Sequence, residues 1–208
     1  MLMHPRTRSR GFDTHMGKRI ALIQGHPDTT SGHYCRALAD AYAAGADEGR
    51  HEIRCIDVAT LDFPLLHSKY EFEHDGPPVA IRSAQESIKW ADHVVIIYPL
   101  WLGLMPARLK AFLEQVFRPG FAFHIGANAM QRLLKGRSAR IVVTMGMPAL
   151  VYRWYFGAHG LKALRRSVLG FCGFGPIRDT LIGTVESTHP DARLRWLKKL
   201  RALGRSAR

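Results

Sequence analysis

The sequence lacks a long hydrophobic run. No apolar stretch among its 208 residues approaches the roughly 20 needed to span a bilayer, so a membrane-spanning protein is not expected. Cysteine is scarce. Cys35, Cys55 and Cys172 are odd in number, widely spaced and free of any CxxC pair, which argues against a disulfide framework and against a zinc site and fits a reducing cytoplasm. All three read as small residues in or near the core. Residues 1–15, MLMHPRTRSRGFDTH, contain no apolar segment of the secretory type. They read as a basic disordered arm or a mis-assigned start, with residues 16–208 as one α/β domain. Two phosphate-binding fingerprints are also missing. No GxGxxG follows the first strand pattern, and no GxxxxGK[ST] occurs anywhere, so neither a Rossmann dinucleotide domain nor a P-loop hydrolase is expected.

Acidic residues are few: 17 Asp and Glu stand against 30 Lys and Arg, a net charge of +13. The excess sits mostly at the ends. Arg6, Arg8 and Arg10 oppose only Asp13 in residues 1–15, and residues 192–208 hold seven Lys or Arg and no acid. A nucleic-acid groove spreads its charge along the folded body. Here a solvated tail and helix face account for it, so no nucleic-acid partner is expected, and the mildly basic body suits an anionic dinucleotide.

The pattern that is present alternates strands with helices. Apolar runs at 19–25, 52–58, 93–98, 140–145 and 180–185 suit strands, the flat ones being buried on both faces. Helical patterns cover 34–46, 79–91, 106–117, 163–169 and 190–203. The last is expected to be capped by Thr188, with an inner stripe of Leu194, Leu197, Leu200 and Leu203. Gly45 and Gly49 weaken the end of the first helix, and residues 59–78 read as a long functional or mobile connection. Strict alternation implies a doubly wound five-stranded parallel sheet of order 2-1-3-4-5 with helices on both faces. In such sheets ligands bind at the carboxyl ends of the strands, near the switch point.

That rule selects the segments with unusual composition. The first is His26-Pro27-Asp28-Thr29-Thr30-Ser31-Gly32-His33, hydroxyls and a glycine ahead of a helix. It suits a phosphate, and a flavin phosphate fits once the other fingerprints are gone; Thr30 and Ser31 acting only as caps is the competing reading. The second, Pro99-Leu100-Trp101-Leu102-Gly103-Leu104-Met105-Pro106, is apolar where loops are usually polar. It suits a flat heteroaromatic ring or, equally, a cover for the sheet end. The third runs from Thr144 through Gly146 to His159 and clusters Tyr152, Trp154, Tyr155 and Phe156. It can stack a planar substrate and relay a proton, although most such aromatics are core.

These residues, in this order, resemble the NAD(P)H:quinone oxidoreductase branch of the flavodoxin-like superfamily. The resemblance runs from residue 18 to about 201. It rests on Gly25-His26-Pro27 through Ser31, Tyr98-Pro99-Leu100-Trp101, Pro106-Ala107-Arg108-Leu109-Lys110, Gly120 to Phe123, His159-Gly160, Phe171-Cys172-Gly173-Phe174 and His189-Pro190-Asp191-Ala192-Arg193. It implies a flavin, FAD favoured over FMN, with NAD(P)H as hydride donor, a quinone-like acceptor and a homodimer that shares its active site. On this reading His26, Thr30, Ser31 and His33 hold the phosphate end. Pro99, Leu100, Trp101, Leu102, Thr144 and Gly146 lie along the ring. Tyr155 or Tyr152 pairs with His159 to stabilise the reduced cofactor and supply a proton. The family's double glycine is Met145-Gly146-Met147-Pro148 here, and its partner-chain tyrosines are Phe123 and Ile125. Two rivals are a flavin-binding redox sensor attached to a transporter and a flavodoxin-type electron carrier; the carrier needs an acidic docking face that this basic body does not offer.

Because the arm precedes the first strand pattern and is polar, deleting residues 1–15 is expected to leave melting temperature and flavin content unchanged. A large loss of either, by thermal melt or absorbance, would show that the arm packs on the body.

Overall fold

The structure, a computed structural model, describes residues 17–30, 32–126, 129–187 and 189–208. The arm at 1–15, Ser31 and Thr188 lie outside the described residues. Five parallel strands form the sheet: β1 (Arg19–Gln24), β2 (Glu52–Asp57), β3 (His93–Pro99), β6 (Ser138–Thr144) and β7 (Ile177–Ile182), ordered β2-β1-β3-β6-β7. This is the expected 2-1-3-4-5 order, with β6 and β7 as its fourth and fifth strands. Between β3 and β6 runs a short antiparallel hairpin of β4 (Phe123–Ile125) and β5 (Met130–Arg132) that sequence patterning did not reveal.

The flat apolar runs are explained by burial on both faces. Alternation sends Ala21, Ile23, Val94, Ile96, Tyr98, Ile141 and Val143 to one face. Ile20, Leu22, Val95, Ile97 and Val142 go to the other. The first face is covered by α3 (Val79–Trp90), α4 (Ala107–Val116) and the helical stretch of α5 (His159–Lys162) with the π-helical Ala163–Gly170. The second is covered by α1 (Tyr34–Glu48) and α6 (Pro190–Arg205).

The α1–α6 seam turns on two glycines. An ideal Cβ on Gly45 would stand 1.9 Å from the Arg201 carbonyl oxygen, and one on Gly204 would stand 2.1 Å from that of Tyr42. Gly45 therefore does not weaken the helix end, as its propensity suggests; it lets two backbones touch. Leu200 is buried, and Leu197 and Leu203 are partly so, but Leu194 of the expected stripe is 53% exposed. Glu48 closes the rim of the seam by ion pairs with Arg201 and Arg205. The cap of α6 is His189, whose Nδ1 accepts from the Asp191 amide.

Some expectations need correction. The connection 59–78 is not structureless: it contains α2 (Lys69–His74), with Ser68 accepting the Glu71 amide as N-cap. It is tied to the body by α4 and by Arg118, two residues beyond it. Arg108 donates to the Val58 and Leu61 carbonyls, Gln115 to that of Pro64 at 2.7 Å, and Arg118 to those of Glu71 and Asp75 at 2.8 and 2.7 Å. The last sheet strand is Ile177–Ile182 rather than 180–185. As an edge strand it carries Arg178 and Asp179, and these charges masked its start. Cys55 is exposed on edge strand β2, whereas Cys35 and Cys172 are buried as expected; burial raises those two thiols to about 11 and about 12.

Gly204→Ala is expected to destabilise the fold by about 1–3 kcal/mol through overpacking, although alanine is the better helix former. Gly76→Ala, where a Cβ meets nothing within 4 Å, should stay within about 0.5 kcal/mol. Urea midpoints of both variants check the contrast.

Candidate active site

The three segments chosen from the sequence converge at the carboxyl edge of the sheet. His26 meets Trp101 edge-on, ring centres 6.1 Å apart. The Leu100 amide donates to the Thr144 carbonyl at 2.7 Å. The Tyr152 hydroxyl approaches the Gly103 carbonyl at 3.4 Å, and Gly160 packs so closely on that carbonyl that a Cβ there would stand 2.6 Å away.

The turn after β1 is a preformed polar cluster. Asp28 accepts the Thr30 amide at 2.8 Å and the Thr30 hydroxyl at 2.9 Å. The same carboxylate takes His33 Nε2 at 2.8 Å. These hydrogen bonds, those from Thr30 first, lower its pKa to about 2. His26 stacks on His33 with centres 3.8 Å apart and accepts the Asp28 amide on Nδ1. Burial first, and the neighbouring His33 second, lower the pKa of His26. Asp28 was passed over in the sequence, although an Asp two residues before a Thr is the signature of an Asx turn. No side chain caps α1, and its first turn has no acid. Its amino-terminal N–H groups and positive dipole end therefore remain available to an anion.

The turn after β3 presents backbone. Leu102 and Gly103 have φ of 48° and 79°, the Trp101 and Leu104 backbones bond to each other, and Leu102 is fully exposed at the tip. The Leu102 and Gly103 amides have no acceptor among the described residues. Free amides beside the exposed Trp101 and the half-buried Pro99 and Leu100 make an apolar ledge with polar edges.

The third segment divides its residues. Thr144 is buried, its hydroxyl 3.1 Å from Cys35 Sγ. Gly146 is exposed, with the Glu186 carboxylate over it; a Cβ there would lie 3.3 Å from Oε1. Sequence reasoning offered no signal for Glu186. Tyr152 lies in a π-helical turn (Val151–Tyr155) and is buried, its hydroxyl accepting the Leu161 amide at 3.2 Å. Burial raises its pKa, and the Leu161 amide works against this. Tyr155 and His159 are both exposed, Tyr155 edge-on to Phe156 at 4.9 Å. An apolar cleft of about 240 Å³ lies elsewhere, between Phe72, Leu113, Phe117, Phe123, Val168 and Phe171. None of the three segments lines it; Arg153, Trp154, Gly157 and Ala158 of the third segment instead line a separate hollow with Leu161, Lys162, Arg165 and Asp179.

Residues 18–203 match the family described as "Flavodoxin-like fold". The chain belongs to that family. Among curated relatives, NAD(P)H dehydrogenase [quinone] 1 of Rattus norvegicus is 29% identical over 213 residues, covering 88% of this chain and 76% of its own. The FMN-dependent NADH:quinone oxidoreductase of Nitratidesulfovibrio vulgaris is 26% identical over 188 residues, covering 83% and 89%. Among solved structures, the NAD(P)H:quinone oxidoreductase of Methanothermobacter marburgensis superposes with a TM-score of 0.75 at 19% identity, over 92% of this chain and 97% of that one. That likeness is one of fold.

Tyr152→Phe removes the acceptor of a buried amide. The expected loss is about 1–3 kcal/mol of stability, with the exposed Tyr155 and His159 still in place; chemical denaturation measures it.

Proposed function

We propose that this flavodoxin-like protein is a flavin-dependent NAD(P)H oxidoreductase that passes two electrons to a quinone or similar small acceptor. The observation that carries the reading is the junction of an uncapped helix start and its His26–Asp28–Thr30–His33 cluster with the apolar ledge at Trp101–Gly103. An anionic tail and a flat heteroaromatic ring fit the two halves. The names of the rat and Nitratidesulfovibrio relatives, both quinone oxidoreductases, support the activity.

When bound, a flavin would supply the two-electron hydride chemistry that links NAD(P)H to the acceptor. The chain's own work is binding, orientation and proton supply. Thr30, Ser31, the α1 amides and the two histidines would hold the phosphate end, whose negative charge offsets the lowered basicity of His26. Pro99, Leu100, Trp101 and Leu102 would support the ring, the free amides of Leu102 and Gly103 meeting its polar edge. Gly146 leaves room that a side chain would fill. Tyr155 and His159, both at the rim, are the donors free to deliver a proton; Tyr152 keeps its hydroxyl on backbone partners and shapes the segment. FMN suits the phosphate cluster as well as FAD does, and the name of the Nitratidesulfovibrio relative favours FMN.

A homodimer is part of this proposal. Trp101, Leu102, Leu104, Trp154, Tyr155 and Phe156 stand exposed around the site, with Ile125 on the β4–β5 hairpin. So much apolar surface calls for a cover, and a second copy supplying its hairpin closes the acceptor pocket. Free thiols and the lack, among the described residues, of a helix long and apolar enough to cross a membrane support a place in the cytoplasm.

The purified protein is expected to be yellow and to oxidise NADH or NADPH with benzoquinone. His159→Gln should keep its flavin but reduce it roughly ten- to a thousand-fold more slowly, the range for losing an acid–base group. Stopped-flow bleaching of the flavin measures this. A protein that binds neither FMN nor FAD overturns the proposal; an unchanged rate removes His159 from it.

A further inference from the structure

At the opposite edge of the sheet, where the strands begin, lies a second polar cavity of about 180 Å³. It is lined by Lys18, His93, Ser138, Pro176, Arg178 and Arg208. β3 separates it from Pro99 by about 20 Å at the usual rise per residue, so it is not part of the strand-end site. No Asp or Glu lines it. The nearby acids are engaged elsewhere: Asp92 takes Arg19, and Asp179 takes Arg153 and Arg165. Arg140 donates to the Arg208 main-chain oxygen at 2.5 Å and to Thr180 at 2.7 Å. Lys18 reaches the Ala207 carbonyl at 3.3 Å. The Arg178 side chain has no hydrogen-bond or ion-pair partner among the described residues.

His93 sits at the centre of this arrangement. It is 2% exposed, its Nδ1 lies 2.7 Å from Ser138 Oγ, and its buried Nε2 has no partner. A buried ring nitrogen left unpaired is costly. Burial first, then the charges of Lys18, Arg140 and Arg178, push the imidazole down to about 4. The cavity thus combines an unsatisfied buried ring nitrogen with an unpaired guanidinium, that of Arg178, beside the Lys18 ammonium, which holds only a carbonyl oxygen. Water answers the first deficit but not the second. A bound oxyanion answers both, accepting from Nε2–H and from the two flanking cations. The volume corresponds to roughly six waters, room for a tetrahedral oxyanion and too little for a flavin.

We propose that this cavity is an anion site that takes a phosphate or sulfate group through His93, Lys18 and Arg178. Occupancy joins the amino ends of β1, β3, β6 and β7 to the turn after α6, so the anion stabilises the fold from the side remote from the chemistry.

The test uses flavin-loaded protein freed of phosphate, so that the flavin already fills the other anion site. Inorganic phosphate is titrated at constant ionic strength, chloride replacing it in the control. Calorimetry and melting temperature report binding, and the nitrogen-15 signals of the His93 ring report its place. Saturable binding with a shift of the Nε2 signal is expected. Lys18→Met and Arg178→Met should each weaken it roughly tenfold or more, as losing a charge-assisted hydrogen bond does, with flavin content unchanged. Adenosine monophosphate separates two sources of the same group. Affinity equal to phosphate means that a phosphate ester enters, and a tenfold loss means that the free ion is the ligand. No saturable binding at concentrations on the order of 10 mM, or wild-type affinity in the double variant, overturns the proposal.

Discussion

Burial of β1, β3 and β6 on both faces is the constraint on which the rest depends. With helices above and below, neither face of these strands is open to a ligand, and their backbone groups are used up in the parallel ladders. Polar chemistry is left to the two edges where the strands begin and end. At the carboxyl edge the helices start with unpaired N–H groups, so anions are favoured there. The same sheet that makes the core thus collects three distant segments, at residues 26–33, 99–104 and 144–159, into one rim.

Within that rim the electrostatics are set before any ligand arrives. Asp28 holds Thr30 and His33 in place, and burial first, with the stacked His33 second, lowers the pKa of His26. A negative charge brought close to His26 would act against that lowering. The opposite edge has a related imbalance, with cations gathered around a neutral buried imidazole. Much of the chain's net +13 lies instead in its two ends.

Much of the fold was legible because apolar runs and helical stripes report burial directly. The segments RIALIQ and HVVIIYP could be little else than central strands. What was hidden had mixed composition. The edge strand IRDTLI carries Asp179 as a partner for Arg153 and Arg165, and the hairpin strands are three residues each. Helix α2 is a six-residue element with no buried residue, anchored through α4 and Arg118. At the site, the choice of segments came from the strand-end rule, but the division of labour between Tyr152 and Tyr155 did not. Both are tyrosines in one aromatic run, and only their burial tells them apart.

By itself, the sequence determined the order of strands and helices, the buried faces, and which turns lie at the carboxyl ends of the strands. These follow from periodicity and from the handedness of βαβ units, which are local rules. Tertiary structure alone decided which atoms are free. That Gly45 and Gly204 are contact points, that the Tyr152 hydroxyl serves a backbone amide, that Asp28 ties a turn together, and that His93 Nε2 has no partner all depend on residues distant in the chain or on the conformation of a turn. Hydrogen bonds and steric contacts act over about 3–4 Å, so sequence spacing cannot report them until the fold has brought the groups together.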